Sequence, residues 1–91
     1  MPSYPARNHK SLFSAILKLK NIKEAAKFFR DLLTIGEIND LAQRLEIARL
    51  LNKGLTYSQV AQKTKTSTTT VSRVAHWLHQ GYGGYKLILK R

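Results

Sequence analysis

Thr68, Thr69 and Ser72 lie within five residues and are suited to reading the edges of nucleic-acid bases, directly or through water, with Arg73 beside them. Their hydroxyls donate or accept, and a threonine methyl can touch a thymine methyl. None of the three hydroxyl residues is a two-pronged reader like arginine on guanine, so discrimination per residue is expected to be weak. Threonines at a helix start also serve as plain caps, and that use stays open beside the first. Arg73 suits either a phosphate or a brace between its own helix and the one carrying Arg44. Ser58, Gln59, Lys63, Lys65 and Ser67 surround this set. Ser58, Gln59, Lys63 and Lys65 are placed for phosphate contacts, together with the backbone amides at helix N-termini, and Ser67 is a further candidate for DNA binding.

The element that must hold these groups is Thr56 to Leu78, TYSQVAQKTKTSTTTVSRVAHWL. Thr56 with Gln59 three residues on makes a capping box, which predicts a helix start. Ser67 is a second N-cap candidate. Val71, Val74 and Leu78 then fall at i, i+3 and i+7, one face of a helix. The opposite face carries Thr68, Thr69, Ser72 and Arg73. Ala61 stands where two crossing helices must approach closely. The pattern is a helix-turn-helix over about residues 56–80, with the second helix fit for the major groove. Trp77 shares a face with Val74 and is expected in the core.

The charge distribution supports this use. The net charge is +11. Residues 1–35 carry +5, residues 36–55 are neutral, and residues 56–91 carry +6 with no acidic side chain. An acid-free helix-turn-helix is what a polyanion surface requires. With 91 residues the chain is one small domain that gains from an oligomer interface. There is no cysteine, hence no disulfide and no thiolate metal site. His9, His76 and His79 do not form a ligand set, so neither metal nor cofactor is expected. No nucleophile–base pair, P-loop or dinucleotide fingerprint stands out, so the chain is not expected to be an enzyme. No apolar run reaches the roughly 18 residues of a bilayer span, and the N-terminus lacks the apolar core of a signal peptide. A cytoplasmic protein is expected.

Along the chain, residues 1–8 read as a flexible arm with two prolines, and 9–91 as a single domain. The spacing predicts a helix over His9–Lys20, with Leu12, Phe13, Ile16 and Leu17 on one face. Asn21 with Glu24 predicts a second start, and Thr34 with Glu37 a third. A long helix, Ile35 to Lys53, follows, with Ile38, Leu41, Ala42, Leu45 and Ala48 on its apolar side. Gly54 suits its left-handed end. Gly81 ends the recognition helix, Gly83 and Gly84 make a joint, and Tyr85 to Leu89 forms an apolar end, either helical or extended.

Two resemblances meet on these residues. Val60 to Val74, V-A-x-x-x-x-T-S-x-x-T-V-S-R-V, resembles the helix-turn-helix of many bacterial repressors, the LacI class among them. Lys65 departs from that pattern at a position usually held by glycine. That turn ordinarily has φ > 0, so Lys65 is expected to be strained or the turn to differ. Second, L-L-T-x-x-E, A-Q-R-L-E-I-A-R-L-L-x-K-G, the helix-turn-helix and a G-G-Y-K-L-x-L tail resemble the Trp-repressor superfamily, nearest its YerC/YecD branch. The match runs from Phe29 to Leu89. It implies an all-α, intertwined homodimer and a cytoplasmic bacterial transcription regulator. The Trp repressor itself contacts its operator largely through water, a mode that suits short hydroxyl side chains.

The same resemblance places Thr34, Arg44 and Arg73 on the positions that hold the corepressor. Val74 and Trp77 stand where small residues are needed, and Asp31 where an apolar one is. The expectation is a site filled by the protein's own side chains and no dependence on L-tryptophan. The function expected is sequence-specific regulation of transcription on double-stranded DNA. The rivals are a non-specific or architectural nucleic-acid binder and a protein-interaction module in which the helix-turn-helix is secondary.

Overall fold

The computed structural model describes residues 3–91. They form six helices and no strand: α1 (Arg7–Ile16), α2 (Ile22–Leu32), α3 (Ile35–Asn52), α4 (Tyr57–Thr64), α5 (Thr68–Gln80) and α6 (Gly84–Lys90). The chain divides into two compact units, one ending at Ile38 and one covering Asn39–Arg91, with the boundary inside α3. Among the described residues no helix is long and apolar enough to cross a membrane.

In the first unit, α1 begins two residues before the predicted start at His9. Met1 and Pro2 of the predicted arm lie outside the described residues. The early start of α1 comes from a cap that uses neither an acid nor a hydroxyl. The Ala6 N–H donates to His9 Nδ1 at 2.9 Å, so an imidazole does the work usually given to a glutamate. The Tyr4 ring lies 5.2 Å from that of His9 and 6.3 Å from that of Phe13. The helix also ends four residues before Lys20, where Lys18 and Leu19 donate three residues back, to Ala15 and Ile16.

Asn21 caps α2 by accepting the Glu24 N–H at 2.9 Å. Glu24 reaches back to the Lys20 N–H rather than to Asn21, so the predicted box is shifted by one residue. Neither α1 nor α2 contains a buried residue. Their apolar stripes are present but open: Leu12 and Phe13 of α1 are exposed, as is Leu17 just past its end, and Ile22 of α2 is 87% exposed.

Thr34 and Glu37 form the predicted reciprocal box, with bonds of 3.1 and 2.9 Å. The long helix α3 has 18 residues, about 27 Å at 1.5 Å per residue. Gly54 ends its turn with φ +95, a region glycine enters without a Cβ penalty. Only Ile47 and Ala48 of α3 are buried. Leu41 and Ala42, expected on the covered face, are exposed, and Ile47, absent from the expected face, is fully enclosed. A helix with apolar residues on several sides does not reveal by period which side its own chain covers.

The core of the second unit is Ile47, Ala48, Val60, Ala61, Val71 and Val74, with Leu50, Leu51, Leu55, Tyr85 and Leu89 packed around it. α4 packs on α5, and α5 on α6. Ala61 is buried, as the close crossing requires. The C-terminal stretch is helical, α6, and begins after Gly83 at φ +87.

Candidate nucleic-acid interface

The helix-turn-helix is built by two caps and one turn. Thr56 Oγ1 accepts the Gln59 N–H at 3.1 Å, and Gln59 Oε1 accepts the Thr56 N–H at 2.9 Å. This box opens α4 and uses the Gln59 carbonyl oxygen, while the Gln59 amide nitrogen is the atom that could donate to a phosphate. Ser67 Oγ accepts the Thr70 N–H at 3.1 Å and opens α5. Thr70 Oγ1 lies 3.2 Å from the same oxygen. The Ser67 hydroxyl is thereby a structural cap, whatever else it touches.

Between the two helices stands Lys65, at φ 56 and ψ 44. The left-handed turn is therefore kept and a lysine bears its strain, which decides between the two expectations for this residue. The conformation costs a non-glycine residue about 1–2 kcal/mol. It lets the Thr66 N–H donate back to the Ala61 carbonyl at 3.0 Å, closing the end of α4.

From this frame α5 presents two faces. Val71, Val74, Ala75 and Leu78 are buried. Thr68, Thr69, Ser72 and Arg73 are exposed on the other side, as are Ser58, Gln59, Lys63, Lys65 and Ser67 around them. No acidic side chain occurs after Glu46. Among the described residues the one salt bridge is Glu46–Arg49, at 3.9 Å and half-exposed. The cations of α4 and α5 therefore have no acidic partner among the described residues and are available to an anion.

Arg44 and Arg73 come together on one cleft of about 350 Å³, whose other walls are Val74, Trp77 and Tyr85. Thr34 belongs to the other unit, where its hydroxyl caps α3. Trp77 is not a core residue: it is 56% exposed, with its ring 5.1 Å from that of His76. Three residues on from Val74 is about 60° short of a full turn. That offset carries Trp77 off the buried stripe and towards the Arg73 side. Tyr85 on this cleft was not visible from local spacing, because it arrives on α6 across a glycine joint. The same two aromatics, with Leu45, Tyr82 and Ile88, line an apolar hollow of about 490 Å³ beside it.

An all-α fold with a capped helix-turn-helix, an exposed hydroxyl face and unpaired cations defines a DNA-binding protein of the transcription-regulator class. The family model described as "Trp repressor protein" matches residues 7–91. The chain belongs to the Trp repressor family. It is 49% identical over 80 residues to the uncharacterized protein YerC of Bacillus subtilis, a match covering 88% of this chain and 77% of that one. Two solved structures have the same fold. A TrpR-like protein from Eubacterium eligens superposes with a TM-score of 0.91 at 44% identity, covering 96% of this chain and 90% of that one. A candidate Trp repressor from Staphylococcus aureus gives 0.89 at 42% identity, covering 94% and 86%.

Proposed function

We propose that the protein is a sequence-specific transcriptional regulator that acts as a repressor. As a homodimer in the bacterial cytoplasm, it would set α5 of each subunit in the major groove. The observation that carries this is the split of α5 into a buried stripe and an exposed Thr68/Thr69/Ser72 face within an acid-free segment. Lys63, Lys65, Ser58 and Gln59 hold the backbone, and the short hydroxyls read base edges directly or through water. Repression is carried over from the family. Two heads would meet half-sites about 34–36 Å apart in a roughly palindromic operator. Binding, not catalysis, is the activity.

The homodimer is supported by what one chain leaves open. α1 and α2 bury nothing, and Leu87 and Ile88 of α6 are exposed. Large apolar side chains left open on each unit are what a second copy would cover.

In this reading the regulator does not depend on L-tryptophan. Trp77 and Tyr85 already supply aromatic walls to the Arg44–Arg73 cleft. Isothermal titration should give no micromolar binding of L-tryptophan, and such binding would refute this part. Thr34, Arg44 and Arg73 remain the residues to substitute if another effector is found.

The deciding experiment is selection of bound duplexes from a random pool, with and without tryptophan. A regulator yields one enriched motif and a specificity ratio of at least ~10³ over random duplex. A ratio near one makes the protein a charge-driven architectural binder. Stoichiometric capture of a protein with no effect of DNA makes it an interaction module.

A further inference from the structure

Two threonines flank the strained residue of the turn, and their hydroxyls are joined. Thr64 Oγ1 donates to the Val60 carbonyl at 2.7 Å. It also lies 2.9 Å from Thr66 Oγ1. A hydroxyl carries one proton. Since that of Thr64 is given to Val60, the second bond must run from the Thr66 hydroxyl to Thr64. The result is a directed chain, Thr66 O–H to Thr64 O–H to Val60 C=O. Both threonines are half-buried and Val60 is fully enclosed, so water competes weakly for these bonds. Thr66 is tied to α4 a second time through its N–H to the Ala61 carbonyl. The two ties bridge over Lys65, and the next residue is Ser67, the cap that starts α5.

We propose that Thr64 and Thr66 are positioning residues for DNA recognition. Their hydroxyl chain holds the left-handed Lys65 turn where glycine would need no such support. It thereby fixes the angle at which α5 presents Thr68, Thr69 and Ser72. Neither threonine needs to touch DNA. The inference rests on the reading that α5 contacts bases.

The test uses the full chain and the variants T66V, T66S, T64V, K65G and T66V combined with K65G. Each is measured against the selected duplex and a random duplex of equal length, and by urea unfolding. T66V and T64V should lower the ratio of selected to random affinity by about five- to ten-fold, the range of one to two lost hydrogen bonds. T66S keeps the hydroxyl and should stay within about two-fold of the parent. K65G removes one cation and weakens both duplexes alike, so the ratio is the readout. In the K65G background the T66V loss should shrink by half or more. An equal T66V loss in both backgrounds overturns the proposal, and so does a loss shared equally by the two duplexes. If no duplex is selected at all, the DNA-reading role fails, and the positioning role with it. Unfolding then decides the hydroxyl chain as a clamp on the turn: non-additive stabilities of T66V and K65G support it, and additive ones remove it.

Discussion

Lys65 shows how one residue can be read from sequence only up to a fork. Its type and place imply a left-handed position occupied by the wrong kind of residue; the backbone angle decides that the turn is kept and the strain borne. K65G should therefore stabilise the fold by about 1 kcal/mol, raising the midpoint of thermal unfolding by about 4–8 °C in a chain of this size. An unchanged or lower midpoint would mean that the strain is relieved elsewhere. Substitutions at Lys63 and Thr69 test the proposed division between backbone contact and base reading. K63A should weaken all sequences alike and reduce the salt slope by about 0.9 log units. T69A should change the selected motif instead. An unchanged motif would displace the reading helix from where α5 has been put. Trp77 is a lesson of another kind. Its spacing from Val74 suggested the core, but a residue at the edge of a stripe is buried only if a neighbour covers that edge. The large apolar side chain stays 56% exposed.

At the scale of elements, the starts of α2 to α5 were legible because each cap is a local contract between residues three apart. Asn21–Glu24, Thr34–Glu37, Thr56–Gln59 and Ser67–Thr70 all place a side-chain oxygen on the predicted amide. α1 was misplaced because its cap uses a histidine nitrogen, which follows no common pattern. The α5–α6 connection was legible only as a glycine joint, and its glycines are not equivalent. A Cβ on Gly81 would collide with the Trp77 carbonyl oxygen, whereas one on Gly84 meets nothing. G81A should cost about 1–3 kcal/mol through the forced backbone shift, while G84A should leave the unfolding midpoint unchanged or higher. Equal effects of the two would show that the joint yields freely. Truncating the enclosed Ile47 to alanine should cost about 2–5 kcal/mol in urea unfolding.

At the scale of the whole molecule, the exposed stripes of α1, α2 and α6 support the proposed homodimer. Light scattering should give twice the 10.4 kDa of one chain, with a thermal midpoint that rises with protein concentration. A monomer at micromolar concentration would leave those stripes unexplained and remove the paired half-sites. Duplex affinity should fall steeply with salt, because the acid-free half has no internal counter-charge.

The sequence by itself determined the helical class, four of the six helix starts, the charge asymmetry and the two faces of α5. All of these follow from interactions within one or two turns of chain, where spacing is geometry. Only the tertiary structure decided which side of α3 is enclosed, that Lys65 carries the turn, that Thr66 bonds Thr64, and that Tyr85 joins Arg44 and Arg73 on one cleft. These depend on segments brought together from different helices, or on a choice between backbone states close in energy. Periodicity along one helix says nothing about either.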